Sequence, residues 1–240
     1  MHLGWRDLKA QYARTKLGPI WSAASLAAII TGSTVAISLI GNTDALNLTP
    51  RLAIGLAIWT LIASSLNEGA DLYEAERSLI LNSRLAIPTL VFRIIWRNCV
   101  IFLHNLPVIA LALWIGNYKP TVYLLLLVPL SFLIAPALVL PISIFARLAL
   151  WRRDLKSLLP SLTTVGLYLS PVFWTPPDSG NMRLIFDLNP FGWFIVLVQD
   201  STLNDKFHLD LFIRCIIAIA ASLIACQLIE NRLYKIRKFV

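Results

Sequence analysis

Arg93 and Arg97 stand four residues apart at the start of a long apolar run, a spacing that puts two guanidinium groups on one helix face. Guanidinium engages phosphate oxygens in a planar, two-pronged way, so the pair could hold the phosphate or diphosphate headgroup of a lipid. A second reading stands beside it, in which both are anchors snorkelling to the membrane surface from a helix longer than the hydrocarbon layer. Four aromatic residues, Phe173, Trp174, Trp193 and Phe194, bracket a segment with Pro176, Pro177, Ser179 and Gly180. Flat amphipathic rings there could line or gate a path for a sugar chain. A third group, Asp71, Leu72, Tyr73, Glu74 and Arg77, lies where Glu68, Asp71, Glu74 and Glu76 crowd together.

Other chemistries lack their residues. An ATP-binding loop needs glycines ahead of a Lys-Ser or Lys-Thr pair to cradle phosphates. Only Lys156 is followed by Ser or Thr, and no glycine lies near it. His2, His104 and His208 are far apart, so no metal site is expected. Cys99, Cys215 and Cys226 sit in apolar runs without the spacing of a metal or redox pair, and read as small buried hydrophobes. His104 with Asn105 suits a polar contact between helices, and no catalytic set is expected.

The elements that must position these residues are membrane spans. Of 240 residues, 58% are hydrophobic and 14% charged, too few charges for the surface of a soluble domain, which carries roughly 25%. Runs without charge cover 20–40, 52–67, 98–118, 120–146 and 157–177, and a sixth, 211–229, is broken only by Arg214. Most reach the roughly 20 residues that cross about 30 Å of hydrocarbon. The run 52–67 spans only about 24 Å at 1.5 Å per residue, so snorkelling of Arg51 or local thinning of the bilayer is expected.

Of the 21 Lys and Arg residues, sixteen fall on one side of six such crossings and five on the other. The positive-inside rule makes the sixteen cytoplasmic, with both termini inside. The net charge of +8 is spread around helix ends, which suits anionic lipid and not nucleic acid. Residues 1–18 read as an amphipathic helix lying in the interface, with Arg6, Lys9 and Arg14 toward headgroups. Residues 71–81 read as a short amphipathic helix outside the membrane or as a surface loop with one helical turn. Asn189 and Pro190 signal a helix start. The apolar stretch that follows is too short to span, and we expect it to dip into the outer leaflet and return.

The chain resembles the permease subunits of type-2 ATP-binding cassette exporters, in the polysaccharide and O-antigen branch. Residues 6–21 resemble that family's R-D-L-K-x-x-Y-x-x-T-x-L-G-x-x-W opening. Arg97-Asn98, His104-Asn105-Leu106, Arg153-Asp154-Leu155, Ser170-Pro171-Val172 and Asn189-Pro190 follow in the family's order.

The resemblance implies one transmembrane permease domain over 1–240, all-α with six spans, forming a homodimer in the bacterial inner membrane. Each subunit would dock on a separate nucleotide-binding ATPase, two copies per complex, which binds the ATP and magnesium. The cargo would be a polysaccharide linked to a lipid such as undecaprenyl diphosphate. The same resemblance makes 71–81 a coupling helix with Asp71, Leu72, Tyr73, Glu74 and Arg77 at the ATPase, 1–18 an interface helix, and 176–199 periplasmic gate helices. Two other classes fit these residues: a membrane enzyme acting on a lipid-linked glycan through His104 and Arg97, and an exporter of a small lipid or drug.

Overall fold

Helices follow the apolar runs, but their ends do not always fall where the charges do. A computed structural model describes residues 20–41, 44–77, 87–119, 121–152 and 154–237, with side chains at all of these except 87 and 232–237. The amphipathic helix expected at 1–18, with Arg6, Lys9 and Arg14, lies outside the described residues. So do 78–81. All regular structure among the described residues is helical.

Helix α1, Ile20–Gly41, buries only the stripe Leu26, Ile30 and Thr34. The rest of its apolar surface faces outward, as lipid or a partner subunit requires. Helix α2, Ala45–Ala75, is capped by Asp44, whose carboxylate accepts from the Leu46 amide at 3.0 Å. Its 31 residues give roughly 46 Å of helix, longer than the hydrocarbon layer.

This corrects the expectation of a short second span. Arg51 and Glu68 bound the charge-free run but do not end the helix: Glu68 accepts from Arg97 and Asn98, and Arg51 is half-buried with its backbone carbonyl accepting from Gln199 at 3.0 Å. Asp71–Ala75 form the last turn of the same helix, and Leu72 is buried at 2% exposure.

Helix α3, Ile87–Ile115, takes Pro88 into its first turn, where a missing N–H costs no hydrogen bond. The fourth apolar run is not one straight helix. A 3-10 turn, Val122–Leu126, leads into α4, Leu127–Phe132, α5, Ile134–Ala137, and α6, Val139–Trp151, with a bend of 41° before α6. Pro141 has no N–H for the Ala137 carbonyl. Ser222 of the last helix supplies the missing partner: its hydroxyl donates to Ala137 O at 3.0 Å and accepts from Leu140 N at 3.1 Å. One side chain thus closes both backbone groups opened by the break.

Helix α7, Asp154–Leu169, has 16 residues and ends before Pro171, so at about 24 Å it is short for a crossing. Among the described residues, four helices are long and apolar enough to span, or five with the bent pair joined, against six expected for the chain. The shortfall lies at 157–177, where Pro171, Pro176 and Pro177 stop the helix that composition alone would extend.

Helices α8, Asn181–Leu188, and α9, Pro190–Leu203, follow. Asn189 caps α9 through its side-chain oxygen, which accepts from Gly192 N at 3.3 Å. Phe194 through Gln199, Ser201 and Thr202 are all buried, so α9 is enclosed by protein. Helix α10, Leu209–Arg237, buries the stripe Leu211, Cys215, Ser222 and Cys226. Helix α2 is the hub, packed against α1, α3, α6, α7 and α9.

Candidate functional site

The acidic end of α2 is a point of attachment for two other helices. Arg97 of α3 and Asn98 both donate to Glu68 Oε2, the amide at 2.9 Å, and Arg93 lies 3.2 Å from Glu76. Lys156 at the start of α7 is 3.3 Å from Asp71 and bonds Glu74. Arg147 of α6 bonds Glu230 of α10. Glu68 and Glu76 therefore balance the two arginines expected at a lipid headgroup. Among the residues expected at a partner ATPase, Asp71, Glu74 and Arg77 are exposed, Tyr73 is half-buried, and Leu72 faces the core.

The opposite ends of the helices carry a second set of polar contacts. Asp187 of α8 accepts from Arg183 at 3.1 Å and from Arg214 of α10 at 2.8 Å. The Arg214 hydrogen bond, with Arg183 assisting, holds the Asp187 carboxyl below its usual 3.8. Arg214 also lies over the Trp193 ring at 5.8 Å, and the Trp193 N–H donates to Phe186 O at 3.0 Å. Phe173 stacks on Tyr168 at 5.6 Å, and the Trp174 N–H donates to Tyr168 O at 3.1 Å. Phe194 is 1% exposed and belongs to the core. The four aromatics thus divide between the end of α7 and the α8–α9 pair.

Two grooves flank α7. One of about 470 Å³ lies between α2, α7 and the α8–α9 pair, with Trp59, Leu162 and Phe191 among its walls. The other, about 330 Å³, lies between α1, α2 and α7; its walls are mostly apolar, with Leu26, Ile29 and Leu56 among them, and carry a polar strip of Thr60, Ser64, Asn67, Thr163 and Thr164. None of Phe173, Trp174, Trp193 and Phe194 lines either groove. Trp59 lines both, and α7 comes close to it because residue 166 is glycine: a Cβ there would sit 3.0 Å from the Trp59 ring. The Thr60, Thr163 and Thr164 hydroxyls donate to carbonyls of their own helices, so toward the groove they offer acceptor oxygens, beside the Ser64 hydroxyl and the Asn67 amide.

Lys156, Asp187, Arg214 and Ser222 were not singled out by sequence reasoning. Charge balance offered a signal for the first: acids gathered on an otherwise cationic face need cations from other segments. His104 is exposed, with its ring Nδ1 2.8 Å from the Val100 carbonyl of its own helix. Arg97 is engaged by Glu68, so the two residues considered for an enzyme are each tied elsewhere.

These features define an all-helical, multi-pass membrane protein with an acidic, partly exposed end on its central helix. No protein-family model matches the chain. It is similar to the O-antigen export system permease protein RfbA of Myxococcus xanthus, with 25% identity over 190 residues, covering 77% of this chain and 72% of that protein. That similarity agrees with the resemblance to type-2 ABC permeases drawn from the residues themselves.

Proposed function

We propose that this chain is the membrane-spanning permease subunit of an ABC exporter that carries a lipid-linked, O-antigen-like polysaccharide across the bacterial inner membrane. The observation that carries this reading is the similarity to an O-antigen export permease along three-quarters of the chain. The exposed Asp71, Glu74 and Arg77 at the end of the central helix support a docking role toward an ATPase. The polar strip of Thr60, Ser64, Asn67, Thr163 and Thr164 in an otherwise apolar groove between α1, α2 and α7 suits a cargo that joins a sugar to a lipid.

In this reading the subunit works as a homodimer with two ATPase copies, which bind ATP and magnesium. Six crossings leave both termini cytoplasmic, and α8 and α9 form a re-entrant gate at the periplasmic side. The ion pairs among the described residues support that topology: each joins residues assigned to the same side, Arg97–Glu68, Arg93–Glu76, Lys156–Glu74 and Arg147–Glu230 inside, Arg183–Asp187, Arg214–Asp187 and His208–Asp200 outside.

The test is co-expression with candidate ABC ATPase subunits from the same genome. The chain alone hydrolyses no ATP, the complex does, and the double variant Glu74→Ala/Arg77→Ala retains membrane insertion but loses export. Recovery of the chain without any ATPase, from a cell that still exports its glycan when the gene is deleted, sinks the proposal.

A further inference from the structure

Lysine is poorly placed in the first turn of a helix, where aligned peptide dipoles leave partial positive charge. Lys156 nevertheless occupies the third position of α7. Two carboxylates of α2 compensate it, Asp71 at 3.3 Å and Glu74 in direct contact. The lysine side chain is 22% exposed, while Asp71 and Glu74 are 63% and 77% exposed. Hydrogen bonding to Glu74 is the main cause that raises the ammonium above its ordinary 10.5, so it stays charged at physiological pH.

An ion pair with partners this exposed contributes little to stability. Stability is a poor reason for the arrangement. Its position offers a better one: α7 separates the two grooves, with Leu159 and Leu162 facing one and Pro160 and Thr164 facing the other. Ten residues further along, roughly 15 Å of helix, Gly166 rests close to Trp59. Helix α7 is thus held to α2 at its start by charge and near its far end by close packing.

We propose that Lys156 is a positioning residue that makes α7 follow the acidic end of α2, so that displacement of Asp71–Arg77 by an ATPase changes the width of both grooves. The inference rests on the reading that this end docks on an ATPase. Pulling Asp71 and Glu74 carries Lys156 with them, and α7 tilts about its contact with Trp59. Removing the charge should leave docking and ATP turnover in place while separating them from passage.

The experiment compares Lys156→Met, which keeps the apolar stem, with Lys156→Arg, which keeps the charge, in the complete complex. Co-purification, thermal midpoint and ATP turnover are measured on the purified complex, and export is read on intact cells by periodate and hydrazide labelling of the surface glycan. The expected result for Lys156→Met is normal assembly, midpoint and turnover, with glycan exported per ATP reduced about tenfold, within the usual range of coupling between sites. Lys156→Arg restores it. Spin labels on the starts of α7 and α3 should change separation on adding an ATP analogue in the parent and lose that change in Lys156→Met.

Parental export by Lys156→Met overturns the inference. A lowered midpoint or lost assembly in that variant overturns it as well, because the lysine is then a brace. If the parent chain itself retains no ATPase, the transporter reading fails, and this inference with it.

Discussion

At the scale of single residues, the tightest constraints come from small side chains and paired charges. Gly69 of α2 faces α6, and a Cβ there would come within 2.6 Å of Ile142 Cγ2, a group on a stiff β-branched side chain. Gly69→Ala gains about 1 kcal/mol of helix propensity but overpacks the interface at a cost of about 1–3 kcal/mol. The expected outcome is net destabilisation, read as a lower midpoint in detergent. Asp187 gives a pH-dependent case. Its carboxyl lies below the ordinary 3.8, chiefly through the Arg214 bond, so its stabilisation is fully present above that value and is lost as pH falls through the lowered one. Because Asp187 is 34% exposed, screening limits the loss in Asp187→Asn to about 1 kcal/mol or less. Midpoints of parent and variant should differ at neutral pH and converge in strong acid. Neither Gly69 nor Asp187 could be picked from sequence, since each matters through a residue far along the chain.

At the scale of elements, backbone hydrogen bonds decide where helices stop. Asn189 was legible as a cap because the Asn-Pro pair carries its own local geometry, and α9 starts at Pro190. Asn189→Ala removes both the cap and the 2.8 Å bond to Ser170, an expected loss of about 1–2 kcal/mol. Hydrogen exchange at the Gly192 amide should accelerate. The break before α6 was not legible, because an apolar run with prolines fits a straight span and a bent one equally. Its repair depends on Ser222, and Ser222→Ala leaves the Ala137 carbonyl and the Leu140 amide unpaired, at a cost of about 1–3 kcal/mol. The conservative Ser222→Thr keeps the hydroxyl and should lose much less stability. Charge-free length also misjudged α2, since Arg51 and Glu68 both remain inside the helix, Glu68 held there by Arg97 and Asn98. What the sequence hid in each case was a partner on a distant segment.

At the scale of the whole molecule, periodic charge placement was the most legible signal, because it follows from the cost of carrying cations across a membrane and needs no tertiary contact. Side assignment can be checked directly. With Cys99, Cys215 and Cys226 replaced by alanine, a cysteine at Asn204 should react with an impermeant maleimide on intact cells, and one at Arg152 only after the cells are opened. Reversed labelling would invert the topology. The sites were less legible than the spans: the acidic end of α2 stood out by composition, whereas the grooves beside α7 arise from helices that meet only in three dimensions. The bond between Ser222 and the broken fourth run, 85 residues apart, also orders events in time. A ribosome finishes that run long before it makes the residue that completes its hydrogen bonding. Until α10 is threaded, those two backbone groups need water or the insertion machinery as a substitute. A helix synthesised much later therefore completes the middle of the molecule, and a chain cut short before Ser222 leaves its fourth run unfinished within the membrane.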